Sequence, residues 1–303
     1  MNTDIMHIET IAEYNAMLGL PTVHPLVSVV DLSLAHPIRH KRLTHGFYSI
    51  FLKDVRCGDL IYGRQHYDYQ EGTIVCLAPG QVIGIDDDGH DFQPHGIALL
   101  FHPNLLHGTS LNQHMQDYHY FSYEVNEALH ISDEERNLFL CCLQQISKEI
   151  SRDTDLLSKR LICRNIELLL DYCLRFYERQ FQTRKQINHD LLSRFENLLN
   201  TYFSSKKPLT EGLPTMKYCA NMLCLSPNYF GDLIKKETGT NAKDYIQRMI
   251  VYLSKERILD SQKSISQVAY DLGFQYPQHF TRMFKKAVGM TPLEFRTSQL
   301  HNS

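Results

Sequence analysis

Residues 227–239 read Pro-Asn-Tyr-Phe-Gly-Asp-Leu-Ile-Lys-Lys-Glu-Thr-Gly, and residues 277–289 read Pro-Gln-His-Phe-Thr-Arg-Met-Phe-Lys-Lys-Ala-Val-Gly. Proline, phenylalanine, the lysine pair and glycine recur at an offset of 50 residues, and at the same offset Ile234 answers Phe284 and Tyr245 answers Phe295. A repeat on this scale marks a duplicated supersecondary unit. Each copy is short, helical in pattern and basic, which directs attention to nucleic acid.

In the first copy Thr215 is placed to cap a helix carrying Tyr218, Cys219, Ala220, Met222 and Leu223. After a break at Cys224-Leu225, Ser226-Pro227 supplies a cap and a proline at the first helical position. The helix that follows, about 227–237, has Phe230, Leu233 and Ile234 on its apolar side and Asn228, Gly231, Asp232, Lys235 and Lys236 on its polar side. In the second copy Ser264-x-x-Gln267 is a capping box, and Gly273 stands where a positive φ ends a helix. Pro277 then opens a helix with Phe280, Met283 and Phe284 inside and Gln278, Thr281, Arg282, Lys285 and Lys286 outside. Two short helices joined by a tight turn, the second polar and basic, make a helix-turn-helix; the units are predicted at about 215–237 and 264–287. Between them a helix of about 242–260, capped by Asn241, buries Tyr245, Ile246, Met249, Ile250 and Leu253 and acts as a rod.

On these residues, 190–300 resemble the DNA-binding domain of the AraC/XylS family of bacterial transcription regulators. The strongest match is Ala269-x-x-x-Gly273-Phe274-x5-Phe280-x-Arg282-x-Phe284-Lys285-Lys286-x-x-Gly289-x-x-Pro292-x-x-x-Arg296. The first unit matches through Ser226-Pro227, Tyr229, Lys235-Lys236-Glu237-Thr238-Gly239 and Tyr245. The departures are Gly231-Asp232, where the family often places a long polar residue, Ile250 where arginine is common, and Ser254 where alanine is common. The resemblance implies base contacts from Asn228, Asp232, Gln278, Thr281 and Arg282, with Gln278 and Arg282 suited to adenine and guanine edges and Asp232 to cytosine N4. Lys235, Lys236, Lys285 and Lys286 are assigned to phosphates, whereas Gly239, Gly273 and Gly289 are structural. Double-stranded promoter DNA is the implied partner, with RNA polymerase as a second.

Charge agrees with this division. Residues 201–303 hold 14 basic and 8 acidic residues, a net of +6, while the whole chain of 303 carries −3. A basic segment on an acidic body concentrates attraction for phosphate at one end. Apolar content of 43% and charged content of 21% describe an ordinary soluble protein. No apolar run reaches the length of a membrane span, and the N-terminus lacks a signal-peptide pattern, so a cytoplasmic location is expected. The eight cysteines include no C-x-x-C pair, which argues against zinc and for buried thiols.

Residues about 40–125 read as short strands broken by turns, at 47–52, 60–62, 73–77, 97–101 and 118–121. Ser132-x-x-Glu135 is a capping box opening a helix whose apolar face is Leu138, Leu140, Cys141, Ile146 and Ile150. A longer helix is predicted over about 156–182, apolar over more than one face, either buried or packed against a second chain. The polar run 182–190 is the linker candidate, followed by an amphipathic helix over 190–204.

The fold class expected is therefore α+β in two domains. Residues 1–185 form a cupin-like β-barrel or sandwich with trailing helices at about 132–182, and 186–303 form an all-α double helix-turn-helix. Glu71 to Gln81 is similar to the strand-turn motif of cupin-like sensor barrels, which implies a small effector in the barrel and a homodimer. Tyr48, Tyr62, Arg64 and His66 are the candidate effector residues; a domain serving only dimerisation or protein interaction stays open. A cupin metalloenzyme is the enzymatic alternative. It needs a His-x-His pair that the sixteen histidines do not supply, and His90, His95, His102 and His107 are spread over loops and a strand. DNA alkylation repair needs a Cys-His step that is absent. No catalytic residue, metal or cofactor is assigned.

Overall fold

The computed structural model describes residues 5–39, 42–53, 72–83, 91–123, 127–183 and 185–300. It divides into two units, Met1–Thr183 and Arg184–Ser303. The first mixes strands and helices and the second is helical throughout its described residues. No described helix is long and apolar enough to cross a membrane.

The first unit opens with β1 (Met6–Ile8), α1 (Ile11–Met17), β2 (Val27–Asp31), β3 (Ile38–Arg39), β4 (Leu43–His45) and β5 (Tyr48–Lys53). It continues through β6 (Thr73–Leu77), β7 (Val82–Ile83), β8 (Asp91–Phe92) and β9 (Ile97–Phe101). Then come α2 (Pro103–Leu106), α3 (Ser110–His114), β10 (Leu129–His130), α4 (Asp133–Ile150) and α5 (Ser158–Thr183). The main sheet is antiparallel, in the order β10-β6-β5-β9-β2, with Ile50 opposite both Cys76 and Leu99. β6 is buried at all five positions, and Ile50, Leu52, Leu99, Leu100 and Phe101 exclude water completely. β1 pairs in parallel with β4, which pairs with β7, and β3 pairs with β8. Among the described residues these sheets do not close into a barrel. The strands begin at Met6, ahead of the residue-40 start read from composition.

Three expectations are corrected here. Residues 118–121 are not a strand: His119–Ser122 is a 3₁₀ turn in which Tyr118, Tyr120 and Phe121 are all buried. The Tyr118 hydroxyl donates to Asp171 (2.8 Å) and the Tyr120 hydroxyl to the Leu170 carbonyl (2.9 Å), so the aromatics lock onto α5 instead of pairing in a sheet. The α4 capping box forms as predicted, but its buried face is Phe139, Cys142, Leu143 and Ile146, and Leu138 and Cys141 point to solvent. Phe139, fully buried, lies on that face, where its large ring gains more from burial than a leucine would. The linker run is helical: α6 (Lys185–Ser204) begins five residues earlier than expected, since nothing in 185–190 is glycine or proline and polarity alone does not stop a helix.

α5 buries one side of its broad apolar surface. Ile162, Cys163, Ile166, Leu169, Leu170, Cys173 and Phe176 are buried, whereas Leu161, Leu168 and Leu174 lie on the outer side. Its C-terminal end is fastened to the start of α4 and to β10: Arg179 forks onto Glu135 (2.9 and 2.6 Å) and also donates to the His130 carbonyl (2.6 Å). Gln180, itself buried, accepts from His130 N–H (2.8 Å) and donates to the Ala128 carbonyl (3.2 Å).

The second unit contains α6, α7 (Lys207–Glu211), α8 (Met216–Met222), α9 (Pro227–Thr238), α10 (Ala242–Leu259), α11 (Ile265–Asp271), α12 (Pro277–Val288) and α13 (Pro292–Leu300). Two aromatic clusters form its cores. Phe195 of α6 meets Phe230 edge-on (5.0 Å) and tilts against Tyr245 (5.5 Å). In the second cluster Phe280 packs on Phe274 and Phe284, and Phe284 on Phe295.

Candidate nucleic-acid interface

The duplication in sequence becomes a duplication of hydrogen bonds. The Thr215 hydroxyl accepts the Tyr218 N–H (3.0 Å) and the Ser264 hydroxyl accepts the Gln267 N–H (3.1 Å), each starting the first helix of its unit. At the turns, Leu225 N–H donates to the Ala220 carbonyl and Phe274 N–H to the Ala269 carbonyl, both at 3.0 Å. Likewise Cys224 N–H reaches Asn221 (3.1 Å) and Gly273 N–H reaches Tyr270 (2.9 Å). Every one of these pairs is offset by 49 residues. The recognition helices α9 and α12 are offset by 50, so the second turn contains one more residue than the first. Aligning the chain on Ala220 and Ala269 reveals this slip; aligning it on the prolines conceals it.

Both turns need the left-handed conformation at the matching residue. Gly273 has φ +93° and sits so close to the chain at Gly212 that an added Cβ would lie 2.7 Å from that backbone. In the first unit the residue is Cys224, with φ +59°, a conformation disfavoured for any residue with a Cβ. The lysine pairs fall in the last turn of each recognition helix, and the glycine that follows ends it: Gly239 and Gly289, at φ +69° and +87°, return their N–H groups to the Lys235 and Lys285 carbonyls. Cations there suit the helix dipole.

The outer faces differ. On α12, Gln278, Arg282, Lys285 and Lys286 are exposed, and Thr281 is half-buried with its hydroxyl donating to the Pro277 carbonyl (3.1 Å). That bond uses the hydroxyl proton and leaves the oxygen's acceptor capacity. Met283, expected inside, is half-buried. On α9, Asn228, Lys235 and Lys236 are exposed, but Gly231 and Asp232 are half-buried, not solvent-facing as expected. The sulfur of Met216, from α8, lies 3.8 Å from where a Cβ of Gly231 would stand, so the neighbouring helix covers the missing side chain.

Several cations in this unit are occupied in holding the fold. Arg257 donates to the Asp271 (3.2 Å) and Phe203 (2.6 Å) carbonyls, tying α10 to the ends of α11 and α6. Arg296 binds the Ile258 and Lys263 carbonyls, Lys263 pairs with Asp271, and Lys207 reaches the Tyr218 hydroxyl (3.0 Å). Ser254 is buried with its hydroxyl on the Val251 carbonyl (2.8 Å), and Ile250 is buried beside it, so both family departures are accommodated by packing. Glu294 caps α13 through the Thr291 N–H (2.7 Å), which lowers its pKa below the usual carboxylate range; nearby Lys285 adds to the shift.

In the first unit, Tyr62, Arg64 and His66 lie outside the described residues. Tyr48 is half-buried, stacked on Phe101 (5.1 Å) and edge-on to Phe121 (5.1 Å), and burial raises its pKa. His102 caps α2 by accepting the Asn104 N–H (3.1 Å). A buried polar group that the sequence did not reveal is His45, stacked on Phe47 (4.8 Å) with Tyr14 against its edge. Burial lowers its pKa to about 4, and among the described residues its Nε2 has no hydrogen-bond partner.

Residues 219–298 match the model of a helix-turn-helix domain. The curated relatives include the transcriptional regulatory protein YesN of Bacillus subtilis, 36% identical over 28% of this chain and 24% of its own length. The arabinose operon regulatory protein of Escherichia coli is 29% identical over 25% of this chain and 26% of its own. Through this segment the chain thus spans about a quarter of each relative. The probable transcriptional regulator LumQ of Photobacterium leiognathi aligns more broadly, over 75% of this chain and 83% of its own length at 23% identity. The two hydrogen-bonded turns, the residue signature and these relatives together identify the C-terminal part of the chain as a helix-turn-helix domain of the AraC/XylS type.

Proposed function

We propose that this chain is a sequence-specific DNA-binding transcription regulator that presents two helix-turn-helix units to successive turns of the major groove. The observation that carries the reading is α12, whose exposed side brings Gln278 and Arg282 to one face and Lys285 and Lys286 to its last turn. These are the residue types that pair with adenine and guanine edges and with phosphates. Asn228, Asp232 and Thr281 complete the proposed base contacts, and Lys235 and Lys236 the phosphate contacts. α10 is 18 residues long, so it separates the units by about 27 Å, comparable with the roughly 34 Å repeat of the groove.

For the N-terminal unit we propose a cupin-like sensor that binds a small effector and supports a homodimer, acting in the cytoplasm on promoters served by RNA polymerase. The turn at 78–81 supports it: Gln81 Oε1 accepts the Ala78 N–H (2.7 Å), and Gly80 N–H is fixed on the His45 carbonyl (2.8 Å).

The decisive experiment maps binding sites across the source genome, then titrates purified protein with a recovered site and with random duplex at several salt concentrations. Tight, salt-sensitive binding that favours the recovered site is expected. Equal binding to both duplexes at all salt concentrations would remove the sequence-specific reading. The sensor reading fails separately if an unrelated dimerising module in place of residues 1–183 leaves regulation of the mapped promoters unchanged under every growth condition.

A further inference from the structure

The two recognition helices start differently. Ser226, 2% exposed, accepts the Tyr229 N–H (3.2 Å) and closes the first turn of α9. The residue in the same place before α12 is Tyr276, whose side chain makes no capping hydrogen bond. Serine, threonine, aspartate and asparagine satisfy an orphan N–H at that position, and tyrosine does not. The Tyr276 ring is instead 54% exposed and meets His279, also exposed, edge-on at 5.4 Å. The residue inserted in this turn belongs to the stretch between Gly273 and Pro277, where Gln275 and Tyr276 both face solvent.

A position that gives up its local function while displaying an aromatic ring has its reason outside the fold. What lies beside it narrows that reason. Gln278, Arg282, Lys285 and Lys286 project from the same helix, so the ring borders a basic, hydrogen-bonding face complementary to a polyanion. A recognition helix meets base edges with its N-terminal residues, which places the residue before it at the wall of the groove, where sugar and phosphate run.

We propose that Tyr276, braced by His279, is a backbone contact of the second unit: its hydroxyl donates to a phosphate oxygen and its ring covers the adjoining deoxyribose. The proposal rests on the DNA-binding reading above. A contact of this kind positions the helix and carries no sequence information, so it strengthens binding to specific and random duplex alike.

The test compares full-length parent, Tyr276→Ser and Tyr276→Phe, with melting temperature and affinity for a mapped site and for random duplex as readouts. Tyr276→Ser restores a cap, so it is expected to melt higher than the parent while binding both duplexes about tenfold more weakly. Tyr276→Phe keeps the ring and is expected to lose only part of that affinity. If Tyr276→Ser binds both duplexes as tightly as the parent, the contact does not exist. A loss confined to the mapped site overturns the backbone assignment in favour of a base contact. Should Tyr276→Ser melt lower, Tyr276→Phe decides: parental affinity refutes the phosphate bond and weaker binding to both duplexes upholds it. Retained DNA binding with lost promoter activity assigns the ring to a protein partner and also overturns the proposal. A parent that binds no duplex refutes the reading of function instead.

Discussion

The two helix-turn-helix units share a backbone and differ in chemistry. The caps of their first helices and the hydrogen bonds of their turns match at an offset of 49. Yet the second has glycine in its left-handed turn, an extra turn residue and an exposed Gln278-Arg282 face, while the first has Cys224, a closed Ser226 cap and a half-buried Gly231-Asp232 pair. Duplication preserves the first-helix caps and the turn bonds, because these are satisfied locally. The outward side chains carry no such constraint, and their difference is the basis for proposing that the two units read DNA unequally.

The turns offer the largest contrast. Gly273→Ala forces a Cβ into the Gly212 backbone at positive φ, and about 3 kcal/mol of domain stability should be lost in denaturant unfolding. A loss under 1 kcal/mol would mean the turn is looser than its counterpart bonds imply. Recognition comes next. Arg282→Ala should cost about 1–3 kcal/mol of specific affinity and relax preference at one base pair, whereas Asp232→Ala should change affinity by about 0.5 kcal/mol or less. Equal effects in competitive binding assays would erase the proposed asymmetry.

The phosphate contacts should be less unequal. Lys285→Ala and Lys235→Ala are each expected to reduce the slope of log affinity against log salt by about 0.9. A slope unmoved by Lys235→Ala would show that the first unit stays off the duplex. Smallest is Cys224→Gly, which removes a Cβ from the left-handed region and should stabilise the domain by about 0.5–1 kcal/mol without changing DNA affinity. Thermal unfolding checks the first half and titration the second.

Legibility followed the range of the interactions. Thr215, Ser226, Asn241 and Ser264 were readable as caps because each bonds an N–H three residues away. Phe230, Phe280 and Phe284 were readable as core because a 3.6-residue period fixes the inner face once a helix is set. Tyr118 and Tyr120 were misread as strand because their partners, Asp171 and Leu170, are some fifty residues distant. The tilt of α4 escaped for a similar reason: either of two adjacent apolar rows is a valid face until α5 chooses between them. Gly231-Asp232 looked exposed on a helical wheel, which has no place for Met216 of the preceding helix.

By itself, then, the sequence determined two capped, basic helix-turn-helix units on a helical rod, since that pattern is written in contacts of three to five residues. Tertiary structure alone decided which cations remain for a ligand and which are spent on carbonyls, as with Arg257 and Arg296. It alone showed that Tyr276 stands exposed before α12 without a capping hydrogen bond. Side-chain type states what a residue can bind; only the packed chain determines whether that capacity has already been used within the protein.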